Sequence, residues 1–326
     1  MHEMSTLVYQ KMIDRGWRRS GSYCYKPCMA ETCCPQYTIR QPTNKFKITK
    51  SQRKALRKFS QKLNVDTAGL DWTDMIKAHE KSGKMEVKLV KVGSKEYEDS
   101  KEASLEIYKK YQVEVHKDEP DEITMKQWSR FLCSPPRKFE DEEDKNQGAY
   151  HQQYWLEGKL ICVGVVDWLS HSLSSVYLYY DPDFSDYNLG VYSALQEIKF
   201  CLDNEIPYYY LGFYVPGCSK MEYKAAYKPS ELLCPETLTW VDLDERVLSL
   251  FKTGKYHRLQ EDSKIIDYRL EKLDARYGLL LFKRTIYKIA YLDEEEDGKG
   301  PVKFELYYRL VGKELSENFM LCYYSK

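Results

Sequence analysis

The sequence lacks any run of apolar residues approaching the ~18–20 that span a bilayer, and it is poor in proline and glycine, with 12 and 16 in 326 residues. Membrane-spanning helices, collagen-like repeats and mucin-like tracts are thereby excluded. An apolar leader is also missing: Arg15, Arg18 and Arg19 stand where a signal peptide is apolar, which points to the cytoplasm and nucleus and to no membrane partner. The common enzyme signatures are absent as well. There is no G-x-S-x-G, no P-loop, no G-x-G-x-x-G and no H-E-x-x-H, and six histidines give a Ser-His-Asp assembly little to draw on. Net charge is absent too, because fifty Lys and Arg balance fifty Asp and Glu. What is present is a globular composition, 43% hydrophobic and 31% charged, in a chain long enough for about two domains of roughly 100–200 residues.

The zero net charge conceals an asymmetry. Residues 1–64 carry fourteen basic residues and three acidic ones, a balance of +11 that leaves −11 on the remainder. A basic head on an acidic body points to one face that meets a polyanion such as RNA. The densest part, Asn44 to Lys58, has seven basic residues and no acid. As a helix starting near Thr49 or Ser51 it aligns Lys50, Arg53, Lys54, Arg57 and Lys58 on one side, opposite Leu56, Phe59 and Leu63. Such a stripe suits a phosphate backbone or serves as a solvated helix face.

Ten cysteines are present, and four of them, Cys24, Cys28, Cys33 and Cys34, fall within eleven residues. Thiolates at short spacing suit a soft metal, but zinc sites are built on C-x-x-C pairs, and this chain has none. Reduced structural thiols are the other reading, and adjacent cysteines do not readily bridge to each other. A site at Cys33 and Cys34 is incomplete on these residues alone.

The periodicity predicts α+β architecture in three parts: a basic, cysteine-bearing region over 1–64, a polar, peripheral region with an acidic linker over 65–145, and a sheet-and-helix domain over 146–326. A short helix is expected over 4–14, short strands between Trp17 and Ile39, a strand at Met85–Val92 and a helix at 101–112. Leu160–Trp168 and Ser174–Tyr180 read as antiparallel neighbours. They precede a helix over Leu189–Leu202, with Leu189, Leu195, Ile198 and Leu202 inward, and a strand at Tyr208–Phe213. Tyr277–Ile289 and Phe304–Leu310 are strand-like.

Two loops leave the ends of these strands, where open sheets bind ligands. In Asp181–Tyr187 the carboxylates either cap the next helix or flank an anion site at its N-terminus. In Lys220–Tyr227, Lys220, Tyr223, Lys224 and Tyr227 share one face if helical, to hold a phosphate, ribose or carboxylate or to form a surface stripe. His171 near Asp167 reads as a surface residue before a base.

As a set, certain residues resemble the arginyl-tRNA–protein transferases, which move arginine from its tRNA to an acidic protein N-terminus. They are Arg18-Arg19-Ser20-Gly21, Tyr25-Lys26-Pro27, Cys33-Cys34-Pro35 and Arg40, then Val163–Asp167, Ser174–Pro182, Leu189–Tyr192, Tyr210-Leu211-Gly212, Lys220-Met221, Tyr223-Lys224 and Pro229. The likeness covers 5–40 and 160–240. It implies a cysteine-bearing N-terminal domain beside a GNAT-like acyltransferase domain, and arginyl-tRNA and proteins with N-terminal Asp, Glu or oxidised Cys as substrates. Eukaryotic members carry an upstream Cys-x-x-Cys that completes a zinc or iron–sulfur site; this chain starts beyond that motif, and the implied chemistry needs no cofactor.

The implied reaction is aminolysis of an activated ester, so positioning, proton removal from the amine and oxyanion stabilisation do most of the work. Candidates follow by residue type. Asp167, Tyr180, Asp181 and Tyr223 form the catalytic set, with Asp167 or Asp181 as a fork for the donor guanidinium. Lys50, Arg53, Lys54, Arg57, Lys58, Lys220 and Lys224 meet phosphates, and Tyr177, Tyr180, Tyr187 and Tyr192 are available to stack on the terminal adenine. Arg18, Arg19, Lys26 and Arg40 receive the acidic acceptor. Two rivals stand beside this reading. One is an acetyl-CoA-dependent GNAT acetyltransferase, although the implied enzyme takes no acetyl-CoA and Tyr187–Tyr192 offers one glycine where a pyrophosphate loop needs several. The other is a non-enzymatic tRNA- or degron-binding adaptor.

Overall fold

A computed structural model describes residues 4–136, 145–265, 267–268, 279–282, 285–288, 307–318 and 321–323. Its centre is an eight-stranded sheet. In chain order the first ten strands are β1 (Arg18–Ser20), β2 (Tyr23–Tyr25), β3 (Tyr37–Pro42), β4 (Met85–Lys91), β5 (Gly148–Leu156), β6 (Lys159–Trp168), β7 (Ser172–Tyr180), β8 (Tyr208–Tyr214), β9 (Glu231–Leu233) and β10 (Trp240–Asp242). Across the sheet the order is β10-β9-β3-β8-β7-β6-β5-β4, and β1 and β2 form a separate hairpin. Every pairing in the large sheet is antiparallel except β7 with β8.

This one sheet takes strands from all three segments that composition separates. β3 comes from the basic head, β4 from the polar middle and the rest from the C-terminal part. The expectation of a peripheral middle is corrected. The helix there, α4 (Lys95–Tyr111), starts six residues earlier than predicted because the Ser94 side chain accepts from Tyr97 N and caps it. Its apolar side, with Leu105, Ile107 and Tyr108, packs with Trp128 of α5 (Met125–Leu132) on Val163, Val165 and Tyr179 of the sheet. The polar residues that made the segment look external lie on the outer faces of amphipathic helices.

α2 (Lys50–Leu63) forms where the sequence predicts it. The Thr49 hydroxyl accepts from Gln52 N and the Gln52 side chain accepts from Thr49 N, a reciprocal capping box, and Asn64 ends the helix at φ 51°. Leu56, Phe59 and Leu63 are buried, each contributing about 1.5–3 kcal/mol of apolar transfer free energy. α1 (Thr6–Ile13) is likewise as expected, and α3 (Trp72–Lys81) packs beside α2.

α6 (Leu189–Asp203) connects β7 to β8 and covers one face of the sheet. Leu189, Leu195 and Ile198 point inward as predicted, but Leu202 is 38% exposed and Cys201 takes the core position. The predicted strand at Tyr277–Ile289 is two, at 279–282 and 285–288, paired to each other in a separate three-stranded sheet. Of Phe304–Leu310, residues 307–310 are helical rather than extended, and 304–306 lie outside the described residues. No helix among the described residues is long and apolar enough to cross a membrane.

The parallel pair positions everything that follows. β7 and β8 are matched only over Ser172–Ser174 and Tyr208–Tyr210, while the strands run on to Tyr180 and Tyr214. Beyond Ser174 and Tyr210 they diverge, leaving a fork in the middle of the sheet with backbone groups on both arms that the ladder does not use.

Candidate active site

The β1–β2 hairpin runs from the β8 arm to α5. At its base Arg18 Nη2 donates to the Gly212 carbonyl of β8 at 3.1 Å. At its tip Gly21 lies so close to α5 that a Cβ there would stand 2.0 Å from the Arg130 carbonyl oxygen. The hairpin therefore admits no side chain at that turn. α2 bridges the far ends of both arms: Gln52 Nε2 donates to the Ala226 carbonyl beyond β8 at 3.4 Å, and Lys62 pairs with Asp186 beyond β7.

Two cations meet on the β8 arm. Arg18 is 6% exposed, its guanidinium lies 5.5 Å from the centre of the Tyr210 ring and 5.3 Å from that of Phe213, and its Nη1 donates to the Trp17 carbonyl at 2.7 Å. Its Nε is buried with no hydrogen-bond partner among the described residues. Beside it Lys224 Nζ donates to the Phe213 carbonyl at 2.8 Å. Burial, with Arg18 second, lowers the Lys224 ammonium to about 8. Neither cation forms an ion pair with a carboxylate among the described residues: carbonyl oxygens and ring faces meet them directly, the Met221 sulfur accepts from Lys224 at 3.4 Å, and Asp14 acts on Arg18 only from a distance. That arrangement attracts an anion. Gly212 itself sits at φ +78°, 3.7 Å from Lys224 Nζ when a Cβ is added.

On the β7 side lies a cavity of about 630 Å³. Its walls include Ser20 and Tyr23 of the hairpin, Tyr108 and Gln112 of α4 and its continuation, Phe131 of α5, and the carboxylates Asp118 and Glu122. Tyr177 of the β7 arm backs two of these walls, its hydroxyl donating to Gln112 Oε1 at 2.9 Å and its ring 5.3 Å from Phe131. At the mouth, Tyr180 packs edge-on to Tyr111 at 4.9 Å. Tyr223, 55% exposed, lies close enough to Tyr111 to help raise its phenol to about 12, after burial.

Several candidates are engaged elsewhere, and these expectations are corrected. Asp167 and Arg19 consume each other in a fully buried bidentate pair at 2.7 and 2.6 Å. Burial opposes the charge on Arg19, yet the facing Asp167 outweighs it and holds the guanidinium above its usual range, so neither group is open to substrate. Arg40 is fixed by Glu231 at 2.6 Å and sandwiched between the Tyr208 and Trp240 rings at 3.8 Å each. Lys26 donates to the Tyr268 hydroxyl at 3.2 Å, away from the fork. Asp181 accepts from Lys110 at 2.6 Å and Lys159 at 2.8 Å and caps the following turn through Asp183 N. Burial works against its charge, but the two lysines outweigh it and keep its carboxyl below the usual range. Tyr192 is 2% exposed and stacked 3.9 Å from Phe59, a core ring and not a platform for a base. Tyr187 packs on Phe59 at 5.7 Å beneath Lys62, and His171 pairs with Asp14, not Asp167.

Lys50, Lys54, Arg57 and Lys58 are exposed on α2 and Arg53 partly so, and Lys220 is exposed beside Lys224. No acid lies in the first turn of α2. Two of the cations, Lys50 and Arg53, thus stand in the first turn at the positive end of the helix dipole, a placement that an incoming anion turns favourable. Cys33 and Cys34 have their sulfurs 3.5 Å apart, while Cys24 is buried under α1 and Cys28 is exposed. No group of three metal-ligating side chains gathers among the described residues, so Cys33 and Cys34 do not by themselves fit a metal.

Family comparison decides the class. The pattern "Arginine-tRNA-protein transferase, N terminus" matches residues 1–54 and "Arginine-tRNA-protein transferase, C terminus" matches 103–234. The chain is 29% identical over 450 residues to arginyl-tRNA–protein transferase 1 of Drosophila melanogaster, covering 98% of this chain and 93% of that one. It is 30% identical over 227 residues to an aspartate/glutamate leucyltransferase of Campylobacter jejuni, covering 69% and 80%. The chain belongs to the arginyl-tRNA–protein transferase family. Members of this family are aminoacyltransferase enzymes. An Arabidopsis thaliana member is 47% identical over 150 residues, but only 24% of its length is covered. Among solved structures, that of L-PGS from Bacillus licheniformis overlays at 11% identity with a TM-score of 0.35, covering 68% of this chain and 64% of that one, a likeness too slight to carry an argument.

The sequence did not single out Asp118 and Glu122. No motif marks the two, which become neighbours of the fork only because α4 packs on β7.

Proposed function

We propose that this family member transfers arginine from arginyl-tRNA to the α-amine of proteins that begin with an acidic residue, at the fork between β7 and β8. The observation that carries the acceptor half is the pair of cations, Arg18 buried and Lys224 partly buried, with no carboxylate within ion-pair distance among the described residues. An acceptor's Asp or Glu side chain, or the sulfinate or sulfonate of an oxidised Cys, supplies the missing anion and places the neighbouring amine at the fork. The donor half draws on the cavity beside β7. Tyr23, Tyr108 and Phe131 offer ring faces to the terminal adenosine, Asp118 and Glu122 offer carboxylates to the arginyl guanidinium, and the α2 stripe meets phosphates on the way in.

Chemistry then needs little covalent help. The amine nitrogen attacks the ester carbonyl, the C–N bond forms, the C–O bond to the ribose breaks, and the proton lost by the amine ends on the departing hydroxyl. Tyr180 and Tyr223 are the phenols at the mouth of the fork, available to hold the developing oxyanion. The reading asks no cofactor of this chemistry, and the GNAT-like description of the C-terminal part rests on the same forked parallel pair. The work belongs in the cytoplasm and nucleus, where charged tRNA is found. The test is a transfer assay with labelled arginyl-tRNA and peptides beginning Asp, Glu, Asn or Ala, beside acetyl-CoA. Label on the Asp and Glu peptides alone is expected; equal label on Ala, or acetyl transfer, overturns the reading.

A further inference from the structure

Where the ladder between β7 and β8 stops, a carboxyl takes over. Glu197 stands in the middle of α6, 1% exposed. The Tyr209 hydroxyl of β8 donates to its Oε2 at 2.6 Å, and the Ser175 hydroxyl of β7 is near enough to the same carboxyl to favour its charged form. Ser174 and Tyr210 are the last matched residues of the two strands, so Tyr209 is the ladder residue just inside the apex of the fork and Ser175 the first residue of the β7 arm beyond it. Gly164 of β6 leaves the room: a Cβ there would lie 3.1 Å from Glu197 Oε1. An acid this deep, aimed at both strands, is more than the core packing of α6 requires.

Its surroundings make its charge state distinctive. Burial pushes Glu197 up to about 7, against the lowering effect of Tyr209 and Ser175. The titratable groups that face it are Tyr154 of β5, Cys162 of β6, Tyr209 of β8, Cys201 of α6 itself, and Tyr223 and Tyr227 beyond β8. All are held above their ordinary values, first of all by burial, and stay neutral near pH 7. No basic side chain is paired with Glu197 among the described residues.

We propose that Glu197 is a positioning residue that clamps the two arms of the fork at its apex and thereby fixes, through β8, the places of Arg18 and Lys224, which hang from the carbonyls of Gly212 and Phe213. This rests on the reading of the fork as the transfer site. The ionised carboxyl has both oxygens free to accept, one from Tyr209 and one turned to the Ser175 side, whereas the protonated form has one oxygen less to offer, so the grip tightens as Glu197 loses its proton.

The test uses the full chain with Glu197→Gln and Tyr209→Phe and two readouts. The first is backbone hydrogen exchange over 172–180 and 208–214 between pH 6 and 8.5, corrected for intrinsic rates. Loss of one bond of the clamp is expected to speed exchange in these arms roughly three- to tenfold, and Glu197→Gln is expected to abolish the extra protection that wild type gains around pH 7. The second is steady-state transfer: KM for an Asp-starting peptide is expected to rise by a similar factor in both variants, with KM for arginyl-tRNA within about twofold. Unchanged exchange in both arms overturns the clamp, and a fall in kcat with the peptide KM unaltered reduces Glu197 to a structural role. Should wild type transfer nothing, the functional reading fails while the exchange readout still decides the clamp.

Discussion

Arg18 and Arg19 are neighbours on β1 and are buried alike, at 6% and 4% exposure, yet their surroundings are opposite. Arg19 meets Asp167 in a bidentate pair deep in the protein, whereas Arg18 meets carbonyls and rings, keeps an orphaned Nε, and has the ammonium of Lys224 close by. A strand alternates its faces, so adjacent side chains serve different purposes. One charge is neutralised within the fold and belongs to stability. The other has no ion-pair partner among the described residues, with Asp14 acting on it only from a distance, and belongs to binding.

The comparison breaks most visibly at Arg19–Asp167. Removing one partner strands the other charge in the interior, and Asp167→Asn is expected to lower the unfolding free energy by about 3–5 kcal/mol, read as a shifted urea midpoint. The peptide KM of the fraction that stays folded should hardly move. A variant that keeps its stability but loses acceptor binding would reverse the roles assigned to the two arginines.

Arg18→Met is the counterpart. Relieving an under-neutralised buried cation is expected to leave stability within about 1 kcal/mol of wild type or slightly higher. The peptide KM is expected to rise roughly 10- to 150-fold, the worth of about 1.5–3 kcal/mol for a hydrogen bond to a charged group. Arginyl-tRNA binding should be spared. Equal weakening of both substrates would show that the hairpin, and not its guanidinium, was the affected part.

That division was only half legible in the sequence. α2 was readable in full because its cap, its 3.6-residue period and its charge stripe are local features of one stretch. The strands β6, β7 and β8 were readable for the same reason. The partner of Arg19 was not, since Asp167 is 148 residues away and no local pattern assigns which carboxylate neutralises which cation. Tyr192 looked like Tyr180 in sequence, and only the stacking of Phe59 from another helix separates a core ring from one at the mouth of the fork. The middle region looked external because its apolar positions are spaced for helices that face a sheet formed elsewhere in the chain.

The α2 stripe extends the comparison from buried to exposed cations. Replacing Arg53, Lys54 and Arg57 together by Gln is expected to weaken arginyl-tRNA binding and flatten its dependence of log K on log salt by about 0.7–0.9 for each phosphate no longer neutralised. The peptide KM should stay as it is. An unchanged slope would make the stripe a solvated face, in which case the unfavourable placement of Lys50 and Arg53 at the helix start would need another anion.

The finest distinction concerns Lys224, whose ammonium burial and Arg18 together lower to about 8. A base with a lowered value is charged below that value and neutral above it, so the acceptor pocket holds two positive charges at pH 7 and approaches one as the solution passes pH 8. Binding of an acidic acceptor should therefore weaken above pH 8, by about fourfold at pH 8.5 if only the charged form binds. The acceptor amine titrates in the same range and favours reaction as pH rises, so a transfer rate would mix two opposing effects. An inhibitor that keeps the acidic side chain but carries a hydroxyl in place of the amine separates them. Its Ki is expected to climb through pH 8–9 in wild type and to stay level in Lys224→Arg, whose charge persists. A Ki independent of pH in wild type would mean that Lys224 takes no part in holding the anion and that Arg18 binds it alone.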